Sequence, residues 1–370
     1  ATSVTGAYLA GRQSLQQISP SRRKPAGWLK LSGARTHNLQ NVSVDFPLGV
    51  LCVVTGVSGS GKSSLVLDTL YPALCQAQAG IVTSADRSHY DSLSGAEAVG
   101  DVQLIDQAPI GKSPRSNPAT YLKIFDDIRT LFAATSESKV RQFAAGQFSF
   151  NTASGGRCPN CEGAGTIAVD MQFLPDVSMT CPECQGTRFR RDTLDIKFRG
   201  LNVAEVLALT VQEAFAFFRG ESRLQRRLKL LKDVGLEYLT LGQPASTLSG
   251  GESQRLKLAA ALSRGGRSST LFLLDEPTTG LHPVDVTRLL DCFGMLLAGG
   301  HSLIVIEHHL DVMRAADCLI DLGPESGEQG GEVVATGTPE EVSQVSGSLT
   351  GKYLKAGMSP DRIANLSSPG

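Results

Sequence analysis

The segment Gly56-Val-Ser-Gly-Ser-Gly61-Lys62-Ser63 constrains this chain more than any other. It fits G-x-x-x-x-G-K-[ST]. The apolar run Val50–Thr55 before it reads as a buried strand, and a helical pattern follows from Lys62 to about Leu74. Glycines let the backbone wrap until successive N–H groups face one point, and the helix start adds its positive end. The pattern predicts a nucleotide phosphate cradle made by Gly56, Ser58, Gly59, Ser60, Gly61 and Ser64. Lys62 would reach the β and γ phosphates of ATP, and the Ser63 hydroxyl would ligate Mg²⁺.

The rest of the chain must then supply a parallel α/β sheet with a metal-holding carboxylate at a neighbouring strand end. Thr270-Leu-Phe-Leu-Leu-Asp275-Glu276 has that form: an apolar strand ending in two acids. Mg²⁺ prefers oxygen ligands, so Asp275 would hold it with Ser63, leaving Glu276 to polarise the attacking water. Leu248-Ser249-Gly250-Gly251-Glu252 opens a helix over Glu252–Leu262 with a free N-terminus, a second place suited to an anion. A later strand runs into Ile304-Val-Ile-Glu-His308, with His309 beside it as an alternative histidine. From 245 on, strands and helices alternate as in a parallel sheet, whereas Trp28–Pro47 alternates as in antiparallel strands.

The 370 residues allow two or three lobes, and a charged content of 19% with 41% hydrophobic residues suits a globular chain. No apolar run approaches the roughly 20 residues of a membrane span. A formal net charge of -1 means that any nucleic-acid surface must be a local patch. The absence of a basic-then-apolar leader leads to an expectation of reduced thiols and a cytoplasmic setting.

Of the eight cysteines, four form Cys158-Pro-Asn-Cys161 and Cys181-Pro-Glu-Cys184, separated by 19 residues. This is the frame of a tetrahedral Zn²⁺ site, each pair wrapping one side of the ion, with Gly163 and Gly186 easing the two turns. The other four (Cys52, Cys75, Cys292 and Cys318) are scattered and read as unreactive thiols.

Taken together, the phosphate loop, LSGGE, the LLDE strand end and the late histidine resemble the signature set of ABC-type ATPases. The resemblance implies that Ser249, Gly250 and Gly251 contact ATP held on an opposing cassette. It also implies that His308 is the switch histidine and that Gln107 in Leu-Ile-Asp-Gln107 senses Mg²⁺ and nucleotide. Between Ser63 and Ser249 lie 185 residues, too many for a bare transporter cassette. Around the cysteines, Phe148-Ser-Phe-Asn151, Gly155-Gly-Arg-Cys158 and Phe173-Leu-Pro-Asp176 resemble the second half of the UvrA family. So do Asp106-Gln-Ala-Pro-Ile-Gly111, Pro114-Arg-Ser-Asn-Pro118, Leu241-Gly-Gln-Pro244 and Thr279-Gly-Leu-His282. The expected fold is α/β: an ABC-type P-loop ATPase core, with a mixed sheet flanked by helices and an antiparallel subdomain. A helical signature domain and an inserted zinc module complete it.

The expected division is a linker over 1–27, a first core segment over 28–80 and an insertion over 81–244, with the zinc module near 148–192. A second core segment follows over 245–345, and then a tail. The shared T-G-x-Y-L near Ser3–Leu9 and Ser348–Leu354 is what a tandem duplication would leave. The family likeness therefore implies one of two cassettes, paired with a homodimer partner or an upstream cassette. UvrB would be met through the missing half, and damaged double-stranded DNA would be the substrate surface in nucleotide excision repair. A UvrA-like antibiotic self-resistance ATPase shares this scaffold, and a transporter cassette is a third reading. Candidate DNA contacts are Lys112, Arg115, Arg157, Arg188, Arg190 and Arg191, basic residues on loops suited to reading phosphate and deformability rather than bases.

Overall fold

The structure is a computed structural model describing residues 22–80, 88–111, 113–171, 174–264 and 269–358. It falls into two units. One comprises residues up to Asp106 and from 265 onward, and the other is Gln107–Arg264. The first T-G-x-Y-L copy and Lys112 lie outside the described residues.

The first unit is built on a six-stranded sheet. Its strands are β3 (Leu51–Gly56), β5 (Asp101–Ile105), β8 (Thr270–Asp275), β9 (Ser302–Ile306), β10 (Cys318–Gly323) and β11 (Glu332–Gly337). Their spatial order is β11-β10-β3-β9-β8-β5. All neighbours run parallel except β11, which is antiparallel to β10. The central strands are continuous apolar runs because both faces are covered: every residue of β9 is buried, as are the first five of β3 and β8. A smaller antiparallel sheet, ordered β2-β1-β4, comprises β1 (Gly27–Ala34), β2 (Val42–Leu48) and β4 (Ser92–Ser94). The alternation of β2 puts Val42, Val44 and Phe46 inside and Ser43 and Asp45 outside, as a half-buried strand requires. Leu29, Leu31, Val44 and Phe46 share one core with Val54, Leu65, Val66, Leu70 and Ile304.

After the phosphate loop the helix begins at Lys62 and runs to Ala79, with a π-helical turn over Val66–Leu70. β4 pairs with Lys30–Ser32 of β1.

The second unit is mostly helical. Two helices, Pro118–Tyr121 and Ile124–Ala133, are separated where Lys123 adopts a φ of 57°. Asn117, Asn202 and Thr210 each close a capping box at a helix start, satisfying donors that a helix leaves unpaired. The leucine stripe Leu224, Leu228 and Leu231 is the buried face of Ser222–Asp233. On its polar side Arg223 and Arg227 pair with Asp127. Phenylalanines carry the rest of the core, with Phe125 and Phe150 stacked at 4.8 Å and Phe132 tilted on Phe148 at 5.4 Å. An antiparallel hairpin, β6 (Thr166–Met171) and β7 (Leu174–Thr180), joins the two cysteine pairs.

The unit boundaries differ from the division at 81 and 244 read from sequence. β4 and β5 belong to the sheets of the first unit, and the LSGGE helix, Gly250–Arg264, belongs to the second. For β4 and β5 strand pairing over distance, invisible in local composition, makes that difference. Among the described residues no helix is long and apolar enough to cross a membrane.

Candidate functional site

Three parallel strand ends of the first unit bring the ATP-site candidates together. β3 ends at Gly56, whose φ of 137° and close approach to the Leu322 carbonyl leave no space for a side chain: an added Cβ would stand 2.0 Å from that oxygen. Gly61, at φ 100°, turns the loop into the helix. Ser58, Gly59 and Ser63 are exposed and Ser64 is half-buried, so the loop rim is open to a phosphate. Ser60 is fully buried and its amide donates to the Val57 carbonyl. It shapes the loop rather than offering a hydroxyl. Lys62 Nζ donates to the Gly56 and Val57 carbonyls at 3.0 and 2.8 Å, aimed into the cradle. Burial lowers its pKa, against the pull of Glu276, Asp321 and Asp275.

Asp275 ends β8. Burial raises its pKa, and the neighbouring carboxylates of Glu276, Asp106 and Glu307 add to the rise, with Lys62 opposing. The exposed Ser63 hydroxyl and the half-buried Asp275 carboxylate beside Lys62 are oxygen donors of the kind a hard divalent cation takes, so these residues fit Mg²⁺. Glu276 adopts a φ of 41°, uncommon for a side-chain-bearing residue. Its amide donates to the Ile306 carbonyl at 3.0 Å, fixing the turn against the end of β9. His308 Nδ1 lies 3.8 Å from Glu276 Oε1 and its side chain is exposed. His309 is occupied elsewhere: its Nδ1 accepts the Asp311 amide and caps the next helix. The geometry thus pairs His308, not His309, with Glu276.

In the second unit, Ser249 caps the LSGGE helix. Its hydroxyl and amide donate to Glu252 Oε2 at 2.9 and 2.7 Å, and the Glu252 amide returns a bond to Ser249 Oγ. Glu252 also accepts from Tyr238 Oη at 2.7 Å. Burial would raise the Glu252 pKa, but the bonds from Tyr238 and Ser249 and the charge of Arg255 outweigh it and lower it. The Gln107 side chain lies against Gly250, where an added Cβ would stand 3.2 Å from its Oε1. Gln107 and Gly250 are therefore neighbours.

The four cysteines converge. Their Sγ atoms lie within 4.8 Å of one another and all four residues are buried. Cys158–Cys181 and Cys161–Cys184 separations are 3.9 and 3.6 Å. Tetrahedral Zn²⁺ with S–Zn of about 2.3 Å would set them near ~3.8 Å, so the thiols fit the ion. Gly163 and Gly186 both have positive φ, and a Cβ on Gly163 would meet the Phe150 carbonyl at 2.0 Å. The Gly165 amide points at Cys161 Sγ at 3.3 Å. Burial pushes Cys184 up to about 12, whereas the Cys184 amide draws Cys181 down to about 7. A central cation is what would ionise all four together.

Around this module Arg115 and Arg157 share Glu162, at 3.5 and 3.7 Å. Arg190, exposed, donates to the Arg157 carbonyl, and Arg191, also exposed, begins a short helix. Arg188 departs from its expected surface position. It is only 8% exposed, donates to the Gly242 carbonyl at 3.1 Å and stacks its guanidinium on Phe150, 5.2 Å from the ring centre. A positive φ of 73° at Arg188 turns the chain so that this side chain faces inward.

Among the buried acids of the described residues, Glu307 and Asp321 have no role readable from the sequence. Glu307 follows β9, and Asp321 lies within β10, where its carboxylate accepts the Ser348 and Thr350 hydroxyls at 2.6 and 2.8 Å. Their only local signal is a lone acid in an apolar run.

The family model described as "ABC transporter" matches residues 39–279, from before the phosphate loop to just past Glu276. The chain belongs to the ABC family of ATPases. Within that family it is similar to the UvrABC system protein A of Aquifex aeolicus, 52% identical over 355 residues, covering 96% of this chain and 38% of that protein. The protein of the same name from Staphylococcus epidermidis is 49% identical over 361 residues, covering 98% and 38%. The crystal structure of UvrA2 from Deinococcus radiodurans superposes with a TM-score of 0.88 at 49% identity, over 96% of this chain and 43% of that one. This ABC chain thus spans well under half the length of the relatives it matches.

Proposed function

We propose that this chain is an ATP-hydrolysing, DNA-engaging part of a UvrA-type damage-recognition subunit of nucleotide excision repair. The observation that carries the reading is the gathering of Lys62, Asp275, Glu276 and His308 at one edge of one sheet. A four-thiol module sits in the sequence between the phosphate loop and LSGGE, and the name UvrABC system protein A attaches to relatives at about half identity.

Lys62 and the loop amides bind the β and γ phosphates of ATP, the substrate. Ser63 and Asp275 would hold Mg²⁺, which when bound offsets phosphate charge. Glu276 accepts the proton of the water whose oxygen attacks the γ phosphorus while the bond to the β-phosphate oxygen breaks. His308 holds Glu276 in place. The Gly250 and Gly251 amides serve ATP on an opposing cassette, either a second copy or another cassette of the same kind. Cys158, Cys161, Cys181 and Cys184 hold Zn²⁺ and stiffen the hairpin loops. Arg115, Arg157, Arg190 and Arg191 around it meet duplex phosphates, a sequence-independent mode suited to finding varied lesions.

The test is titration of the chain with labelled duplex DNA, with and without a lesion, in the presence and absence of Mg-ATP. The reading expects duplex binding that weakens with salt and changes with nucleotide. No duplex binding at low salt, or affinity indifferent to ATP, would defeat it.

A further inference from the structure

Glu307 is completely buried, yet it is neither a phosphate nor a metal candidate. Its carboxylate is filled by four donors from two loops. Oε1 accepts the Thr278 amide at 2.8 Å and the Thr278 hydroxyl at 2.5 Å. Oε2 accepts the His308 and His309 amides at 2.9 and 3.0 Å. Its own amide donates to Val54 of the phosphate-loop strand at 3.1 Å. Burying a carboxylate is unfavourable unless its oxygens are satisfied, so the arrangement exists only while both loops stay in place. The loop held by Oε1 lies two residues after Glu276, and the loop held by Oε2 starts with His308. Those are the two arms whose side chains meet at 3.8 Å. A neutral side chain could end the strand equally well, but only a carboxylate can accept from both loops at once.

We infer that Glu307 is a positioning residue for ATP hydrolysis, a clasp that holds Glu276 and His308 in working register without touching nucleotide. The inference rests on the proposed reading of Glu276 and His308. Glutamine has one acceptor oxygen, and its NH₂ would face the N–H groups of one loop, so Glu307→Gln releases one arm. A displacement on the order of 1 Å at such a pair costs roughly 100-fold in rate.

The experiment measures steady-state ATP turnover and binding of a fluorescent ATP analogue by the full chain. Glu307→Gln is made alone and in a Glu276→Gln background, with Thr278→Val as a milder variant. The clasp predicts kcat lower by about 100-fold, with KM and analogue affinity nearly unchanged. It predicts no further loss from Glu307→Gln once Glu276 is already glutamine, and a smaller kcat loss for Thr278→Val. An unchanged kcat overturns the inference, as does a loss that multiplies fully in the Glu276→Gln background. A parallel fall in affinity and melting temperature, the mark of a merely structural role, also overturns it. Hydrogen exchange at the Thr278, His308 and His309 amides judges the clasp without turnover. These amides should be protected in the unmodified chain, and in Glu307→Gln those of the released arm, either Thr278 or His308 with His309, should exchange roughly tenfold faster or more; equal exchange at all three overturns the inference. A chain with no ATP turnover of its own would defeat the hydrolysis reading instead, leaving the exchange result to decide the clasp.

Discussion

Replacing Arg188 by methionine separates a packing role from a DNA role. Methionine keeps most of the apolar stem but removes the guanidinium. That deletes the bond to the Gly242 carbonyl, worth ~2 kcal/mol for a charged donor. It also deletes the desolvated stack on Phe150, worth about 2 kcal/mol. Against this, Nη1 is buried with no partner, and relieving it returns roughly 1–2 kcal/mol. The net cost is about 2–3 kcal/mol, which for a unit of this size lowers the melting temperature by roughly 4–12 °C. Burial lowers the guanidinium pKa, and the Cys161 and Cys184 sulfurs oppose that, so the lost charge should also weaken zinc retention against a chelator. Calorimetry of the zinc-loaded chain reads the first effect. Duplex binding across a salt series reads whether Arg188 neutralises a phosphate, which would make the slope shallower by roughly one. Melting unchanged, with a shallower salt slope, would refute the packing argument.

Three further outcomes follow from the same geometry. The purified chain should carry about one equivalent of zinc per molecule, lost when any of Cys158, Cys161, Cys181 or Cys184 becomes serine; metal analysis of folded protein checks this. Arg190→Ala with Arg191→Ala should weaken duplex binding and flatten its salt dependence while leaving ATP affinity unchanged. Asp321 is raised above its ordinary 3.8, chiefly by burial and against the Ser348 and Thr350 bonds, so its contribution to stability is full below 3.8 and is lost as pH rises through the raised value. Asp321→Asn should therefore remove a downward component of stability over that window, seen in urea melts at a series of pH values.

The chemistry legible in the sequence was the chemistry that needs adjacent residues. The phosphate loop requires its glycines and Lys62 in one turn, and a tetrathiolate requires two pairs at short spacing. A strand and a helix on either side are equally local. Hydrogen bonds made far along the chain were not legible. Glu307 meets Thr278 29 residues away, and Asp321 meets Ser348 27 away. Each looks from its neighbours like a stray acid in or just after a strand. Arg188 reads as one more cation in a basic cluster until its left-handed backbone turns it inward.

The T-G-x-Y-L segment near the end of the chain gains a physical meaning beyond repetition. Thr350 bonds Asp321, and Gly351 donates to Ser348 Oγ at 2.7 Å with the Val342 carbonyl too close for a side chain. Leu354 is fully buried, and Tyr353 lines an apolar cleft of about 320 Å³ with Gly56 and His308. The segment fastens the last helix to the strand beside the phosphate loop. The placement of β4 and β5 in the first unit is decided by pairing with β1 and β8, distant in sequence, rather than by local pattern.

The central claim is that Glu276, set beside His308 at the end of β8, activates the water that cleaves ATP held by Lys62. Mixing Glu276→Gln with Mg-ATP and following bound and cleaved nucleotide in a single turnover tests it most directly. ATP should bind about as tightly as to the unmodified chain, with cleavage slowed by roughly 100-fold or more. Cleavage at a near-normal rate would contradict it.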